Sequence, residues 1–359
     1  MESYRVGLVP GPVKVPQEIF NAWRNDYGSS DLESEFFDLY RDNQRLIQKL
    51  LATKNDIIIT SGEAMSVLWA SLKCTLKADD KLLAVSSGLF GEGFAEMARS
   101  FGVEAEVCSF PFDEVPEPQK VFDFAKRYRP KVITAVHCET PSGILTPCLE
   151  DLGRIAREVD AIFVVDFVAS AGGVSVDVDR CNIDIGLLGS QKVLSLPPCL
   201  SVSSISQRAW SVIEDVNYSG YESFIGWREV PSVLAPYTLD WHAVKALNVS
   251  MNMIFREQPE KVYQRHKEAA SLCREIGQEI GLKLFPKDER YSSPTVTAFY
   301  VPEKFTWPEF DRALREKGLA VGGNYGQLAG KVFRVGHMGS QADCELVREG
   351  MDIIRNVAG

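Results

Sequence analysis

Five short, unbroken apolar runs set the strongest limit on what this chain can fold into: 57–60, 82–85, 132–136, 162–165 and 185–188. A strand with one wet face alternates apolar and polar residues, so an unbroken run is covered on both faces. Segments of helical period lie between the runs. In 64–76, Met65, Leu68, Trp69 and Leu72 share one face; in 149–159, Leu149, Leu152, Ile155, Ala156 and Val159 share another. Strands alternating with helices predict an α/β fold, a mostly parallel open sheet with flanking helices. The pattern changes over 211–240, which holds Tyr218, Tyr221, Phe224, Trp227 and Tyr237 but no clear period, and reads as a long connection. Helical patterns follow at 241–256 and 260–280, the second carrying Val262, His266, Ala269, Cys273, Ile276 and Ile280 on one stripe. Strand-like 295–301 and 331–335 and helix-like 308–317 and 342–357 complete a smaller C-terminal α+β domain. The expected division is a large domain with an N-terminal arm at 1–240 and a small domain at 241–359.

Several function classes are disfavoured. The formal net charge is −10, from 39 basic and 49 acidic residues, which repels phosphate backbones and anionic membranes. The longest apolar stretch, 161–176, is interrupted by Asp166 and two glycines and is too short to span a bilayer. The eight cysteines are scattered without a C-x-x-C pair, as in a reduced protein. We therefore expect a cytoplasmic chain with no signal peptide, no nucleic-acid partner and no membrane partner. His137, His242, His266 and His337 form no helical metal pair, so no metal is expected. Gly88-x-x-Gly91-x-Gly93 has the wrong spacing for a dinucleotide fingerprint, and no Gly-x-Ser-x-Gly elbow occurs.

The residues that carry chemistry cluster where the apolar runs end. Lys192 follows the run 185–188; burial drives a lysine toward its neutral, nucleophilic form. Alone, it reads as a surface lysine with a packed stem. Asp166 ends the run 162–165 and needs a partner there, which a protonated pyridine nitrogen would supply. Alone, it reads as a turn or helix-capping residue. The small-residue turn 61–65 opens a helix whose N–H groups suit a phosphate. Phe90 opens the next helix and can stack on a planar ring, and Glu139 and Thr140 follow a third run. Ligands on open α/β sheets sit at these strand ends. Together the features describe a site for a planar, phosphorylated pyridine held as a lysine imine, which is pyridoxal 5′-phosphate.

The same segments carry a resemblance. Val9-Pro10-Gly11-Pro12, Ser87-Gly88-Leu89-Phe90-Gly91, His137-Cys138-Glu139-Thr140-Pro141-Ser142-Gly143, Val165-Asp166-Phe167-Val168-Ala169-Ser170, Gly189-Ser190-Gln191-Lys192 and Phe333-Arg334-Val335-Gly336-His337-Met338-Gly339 occur in family order over nearly the whole chain. The chain resembles the class V, fold-type I aminotransferases, most of all the alanine–glyoxylate and serine–pyruvate group. The resemblance implies that Lys192 forms the imine and moves the proton, that Asp166 pairs with the ring nitrogen, and that Phe90 stacks on the ring. It implies Thr140 near the ring hydroxyl and Glu63, Ala64, Met65 and Gln191 around the phosphate. It places Arg334 on the substrate carboxylate with Gly11 beside it, and it brings Thr238 to the phosphate of a partner subunit in a homodimer.

Some positions depart from the family pattern. Glu63 puts a carboxylate beside the expected phosphate, Cys199 stands where a glycine commonly follows the paired prolines, and Asp31 and Glu33 would disfavour an acidic substrate. Arg228 lies in the aromatic connection, without an assigned role. The implied reaction moves an amino group from alanine or serine to glyoxylate or pyruvate. Alternatives are a 2-aminoethylphosphonate–pyruvate-type transaminase, a lyase or racemase on the same scaffold, and a non-catalytic binding protein.

Overall fold

The computed structural model describes residues 4–359. Its centre is a seven-stranded sheet: β1 (Asp56–Ser61), β2 (Lys81–Ser86), β3 (Glu104–Ser109), β4 (Val132–Val136), β5 (Ile162–Asp166), β6 (Ile185–Gly189) and β7 (Leu200–Ile205). Their order across the sheet is β1-β7-β6-β5-β4-β2-β3. β7 is antiparallel to both of its neighbours, and the remaining pairs are parallel. The five apolar runs are β1, β2, β4, β5 and β6.

Two strands lay outside that reading. β7 has the sequence LSVSSI, yet every residue is buried. Two of its three serines are satisfied inside the sheet layer: the Ser201 hydroxyl shares a hydrogen bond with Ser66 at 2.9 Å, and Ser204 accepts from Asn55 at 3.2 Å, while the Ser203 hydroxyl is buried without a partner. β3 is an edge strand and alternates exposed Glu104 and Glu106 with buried Ala105.

Helices α1 (Ser34–Leu50), α2 (Met65–Thr75), α3 (Leu89–Ser100), α4 (Pro118–Tyr128), α5 (Leu149–Glu158) and α6 (Gln207–Val216) flank this sheet. α6 corrects the reading of 211–240 as a connection, because residues 211–216 are helical. The Ser206 hydroxyl starts α6 by accepting the Ala209 N–H at 3.1 Å, and Trp210 and Ile213 anchor its buried face. The Tyr40 hydroxyl of α1 donates to the Ile59 carbonyl of β1 at 3.1 Å and accepts its N–H at 2.8 Å.

The C-terminal third adds α7 (Trp241–Glu257), α8 (Pro259–Glu279), the antiparallel pair β8 (Val296–Tyr300) and β9 (Val332–Gly336), α9 (Trp307–Glu316) and α10 (Cys344–Ala358). Packing divides the chain differently from the expected cut at residue 240. Val244, Leu247, Met251 and Ile254 of α7 join the core of the large sheet. Val6 and Leu8 join Phe310, Leu314, Phe333 and Val347 in the second core, where Val6–Gly7 pairs with Leu319–Ala320. The arm therefore crosses from one core to the other and passes the sheet's carboxyl edge on the way. Among the described residues no helix is long and apolar enough to cross a membrane, and no group of His, Cys, Asp and Glu is arranged to hold a metal.

Candidate active site

Because β1, β2, β4, β5 and β6 run in one direction, their carboxyl ends open onto one side. A cavity of about 290 Å³ lies there. From β5 and β6 it receives Asp166, Gln191 and Lys192, and from the arm Gly11. Glu63, Ala64 and Met65 enter from the start of α2, Phe90 from the start of α3, and Thr140 from the turn beyond β4. Nine of the eleven residues expected from the sequence thus meet at one cavity.

Lys192 is partly buried, and its Nζ donates to the Pro10 carbonyl at 2.6 Å. Burial, and then the charge of Arg334, lower its pKa from 10.5 to about 8. Gly11 makes room for it: a Cβ there would lie 2.5 Å from Lys192 Cδ, and the backbone φ is +100°. Asp166 is also buried, and its Oδ1 accepts the Val168 N–H at 2.7 Å. Burial raises its carboxyl to about 6, while that N–H and Lys192 pull it back. A cation at the ring-nitrogen position would relieve this carboxylate.

Arg334 does not line the Lys192 cavity, though it is close enough to depress the lysine. It is 4% exposed on β9, and its Nε donates to the Gly323 carbonyl at 2.8 Å. The Tyr325 ring lies 5.0 Å from the guanidinium carbon. No carboxylate pairs with Arg334 among the described residues, which is unusual for a buried guanidinium.

Glu139 organises the Phe90 wall. Its carboxylate accepts the Phe90 and Gly91 N–H groups at 3.2 and 2.7 Å, closing the start of α3 across 48 residues of sequence. Burial pushes this carboxyl up to about 8.

The class V aminotransferase family profile matches residues 13–340. The chain belongs to the class V aminotransferases. It is 32% identical to an uncharacterised aminotransferase of Methanocaldococcus jannaschii over 95% of this chain and 89% of that one. It is 28% identical to the pyridoxamine–pyruvate transaminase of Mesorhizobium japonicum over 94% of this chain and 87% of that one. Among solved structures, the alanine–glyoxylate aminotransferase of Nostoc sp. superposes with a TM-score of 0.93 at 28% identity, covering 99% and 95% of the two chains.

In this aminotransferase the ring end and the 5′ end of the cavity differ in how they suit pyridoxal phosphate. Asp166, Phe90, Val168 and Lys192 fit a pyridine aldehyde: a buried carboxylate, two apolar walls and a depressed amine. The 5′ end does not fit a phosphate. Glu63 Oε1 accepts the Met65 N–H at 3.0 Å, and Glu63 Oε2 accepts from Gln191 Nε2 at 3.3 Å. Those are the donors that a phosphate would use, and a carboxylate of the chain already holds them.

Thr238 lies apart from the cavity; its hydroxyl donates to Asp31 Oδ2 at 2.8 Å. Arg228 is further off, paired with Glu214 and lying over the Trp210 ring. Sequence reasoning missed Pro10 as the lysine's acceptor, the Gly323 carbonyl and Tyr325 ring on Arg334, and the capping role of Glu139. Pro10 and Glu139 carried a signal, since they sit inside the Val9-Pro10-Gly11-Pro12 and His137-Cys138-Glu139-Thr140 segments.

Proposed function

We propose that the enzyme moves an amino group between a small L-amino acid, alanine or serine, and a 2-oxo acid, pyruvate or glyoxylate, through a pyridoxal ring at Lys192. The observation that carries this reading is the depressed Lys192 amine sharing one cavity with buried Asp166, beside a buried Arg334 that lacks a carboxylate. The names of the alanine–glyoxylate and pyridoxamine–pyruvate relatives support the substrate class.

A bound pyridoxal ring supplies an electron sink for the exchange. The chain supplies the rest. Lys192 Nζ, neutral in part near pH 7, attacks as a nucleophile and afterwards carries a proton at the same atom. Asp166 favours a protonated ring nitrogen. Phe90 and Val168 hold the ring plane and keep water from it. Arg334 takes the substrate carboxylate by charge-assisted hydrogen bonds, so a donor without a carboxylate gains nothing from it. Glu139 fixes Phe90 without touching substrate. We place the enzyme in the cytoplasm as a homodimer; eight free cysteines and exposed Tyr221, Leu234 and Tyr237 support this. In a second reading pyridoxamine itself is the donor and pyruvate the acceptor, and Glu63 at the 5′ end favours it.

The test is an absorbance spectrum of the ring-loaded enzyme before and after L-alanine or L-serine is added without acceptor. Bleaching of the yellow band, with release of the matching oxo acid, is expected. A band that neither amino acid changes would exclude both donors. Ammonia in place of a transferred amine would make the enzyme a lyase.

A further inference from the structure

We propose that Glu63 fills the place of a 5′-phosphate, so that this enzyme binds phosphate-free pyridoxal and pyridoxamine as exchangeable substrates. The inference rests on the reading that a pyridoxal ring sits at Lys192, and it assigns the specificity of that site's far end. Glu63 closes the cavity wall by bridging the first N–H of α2 to the Gln191 amide. A helix start and a side-chain amide are what an anion seeks, and here the chain provides the anion.

Charge excludes a second anion. Glu63 and Asp166 are the acidic groups lining the cavity, and Lys192 is the one basic group among the described residues. A phosphate dianion would meet Glu63 directly, with no cation of the lining beside it but the lysine that must be neutral to react.

A hydroxymethyl group is complementary where phosphate is not. Its O–H donates to the Glu63 carboxylate, a bond that a dianion without protons cannot make. The Gln191 amide is itself enclosed: Gln191 is 7% exposed, and its Oε1 is buried against Gly189 without a hydrogen-bond partner. Rotating that amide would set Oε1 against the Glu63 carboxylate, so the contact with Glu63 fixes the amide with its N–H on the carboxylate.

The consequence is turnover of the ring itself. A ring without a phosphate keeps the Asp166 contact at its nitrogen but has no second ionic anchor at its 5′ end, and it leaves after each exchange. The balanced reaction is pyridoxamine plus a 2-oxo acid giving pyridoxal plus an L-amino acid. The amine-bearing carbon of pyridoxamine is oxidised to the aldehyde, and the oxo carbon is reduced to the amine. No third reactant is required.

The experiment titrates purified wild-type enzyme, Glu63→Gln and Glu63→Asp with pyridoxal and with pyridoxal phosphate, reading the visible absorbance acquired on bonding Lys192. Melting temperatures confirm that each variant is folded. Wild type is expected to bind pyridoxal about 100-fold more tightly than pyridoxal phosphate. Glu63→Gln should gain about tenfold or more in affinity for the phosphorylated ring, while Glu63→Asp, which keeps the charge, should continue to reject it. Tight retention of pyridoxal phosphate by wild type through desalting would overturn the proposal and leave the transaminase reading standing. An unchanged vitamer ratio in folded Glu63→Gln would overturn it as well. Binding of neither vitamer would overturn the underlying reading and the proposal together.

Discussion

Lys192 should react with aldehydes as an amine that titrates near 8. The perturbation is pH. With a midpoint of about 8 instead of 10.5, the neutral fraction at pH 7 is about 9%, against about 0.03% for an ordinary lysine, a ratio of about 300. Burial is the larger cause and Arg334 the second, so Arg334→Met should move the midpoint upward but not restore it fully. The assay mixes the enzyme with a neutral aldehyde, 4-pyridinecarboxaldehyde, for fixed times between pH 6 and 10. Sodium borohydride stops each sample, and mass spectrometry measures the modified Lys192 peptide. The surface lysines of the same digest serve as the internal reference. The Lys192 rate should rise about tenfold per pH unit below 8 and level off above it. A rate still climbing tenfold per unit at about pH 9.5 would refute the claim that burial activates this lysine.

Glu139 has a folded-state pKa raised from 4.5 to about 8, so its stabilising contribution is complete below about pH 4.5 and is lost as pH rises through 8. The loss is roughly 5 kcal/mol at most, and urea unfolding at pH 5 and pH 8.5 should show Glu139→Gln flattening this part of the profile. Gly11→Ala places a Cβ 2.5 Å from Lys192 Cδ at a φ of +100°, so it should cost roughly 1–3 kcal/mol of stability and slow aldehyde capture by Lys192. Arg208→Met leaves the buried Asp184 carboxylate without its 2.8 Å partner, with Arg157 remaining at 3.2 Å; a loss of roughly 3 kcal/mol in urea unfolding is expected. Ser206→Ala should cost roughly 2–4 kcal/mol in the same assay, because the Ala209 N–H loses its acceptor and the buried Asp184 Oδ1 loses the Ser206 donor at 2.8 Å.

The parallel strands were legible because helices cover both of their faces, which leaves unbroken apolar runs in the sequence. β7 was not, since its buried serines look polar until their partners Ser66 and Asn55 are seen. α1 did carry a readable stripe, with Phe36, Tyr40, Asn43, Ile47 and Leu50 buried, but no element was assigned to that stretch from the sequence. Lys192 and Asp166 were legible as polar groups ending apolar runs. The Glu139 contact with the start of α3 was not, because no local pattern links residues 48 apart. Glu63 was visible as a departure from the family turn, but its meaning depends on Gln191 reaching it from the turn after β6, 128 residues later.

The central claim is that Lys192 carries an amino group across a pyridoxal ring to an oxo acid. The most direct measurement supplies heavy-nitrogen L-alanine with pyridoxal, and separately with pyridoxal phosphate, to wild type and to Lys192→Ala, and follows pyruvate and the labelled ring amine by mass spectrometry. The account predicts equal amounts of both products from wild type supplied with pyridoxal, slower transfer to pyridoxal phosphate, and a rate with pyridoxal at least about 1,000-fold lower from Lys192→Ala. Pyruvate appearing with free labelled ammonia, or transfer that survives the loss of Lys192, would contradict it.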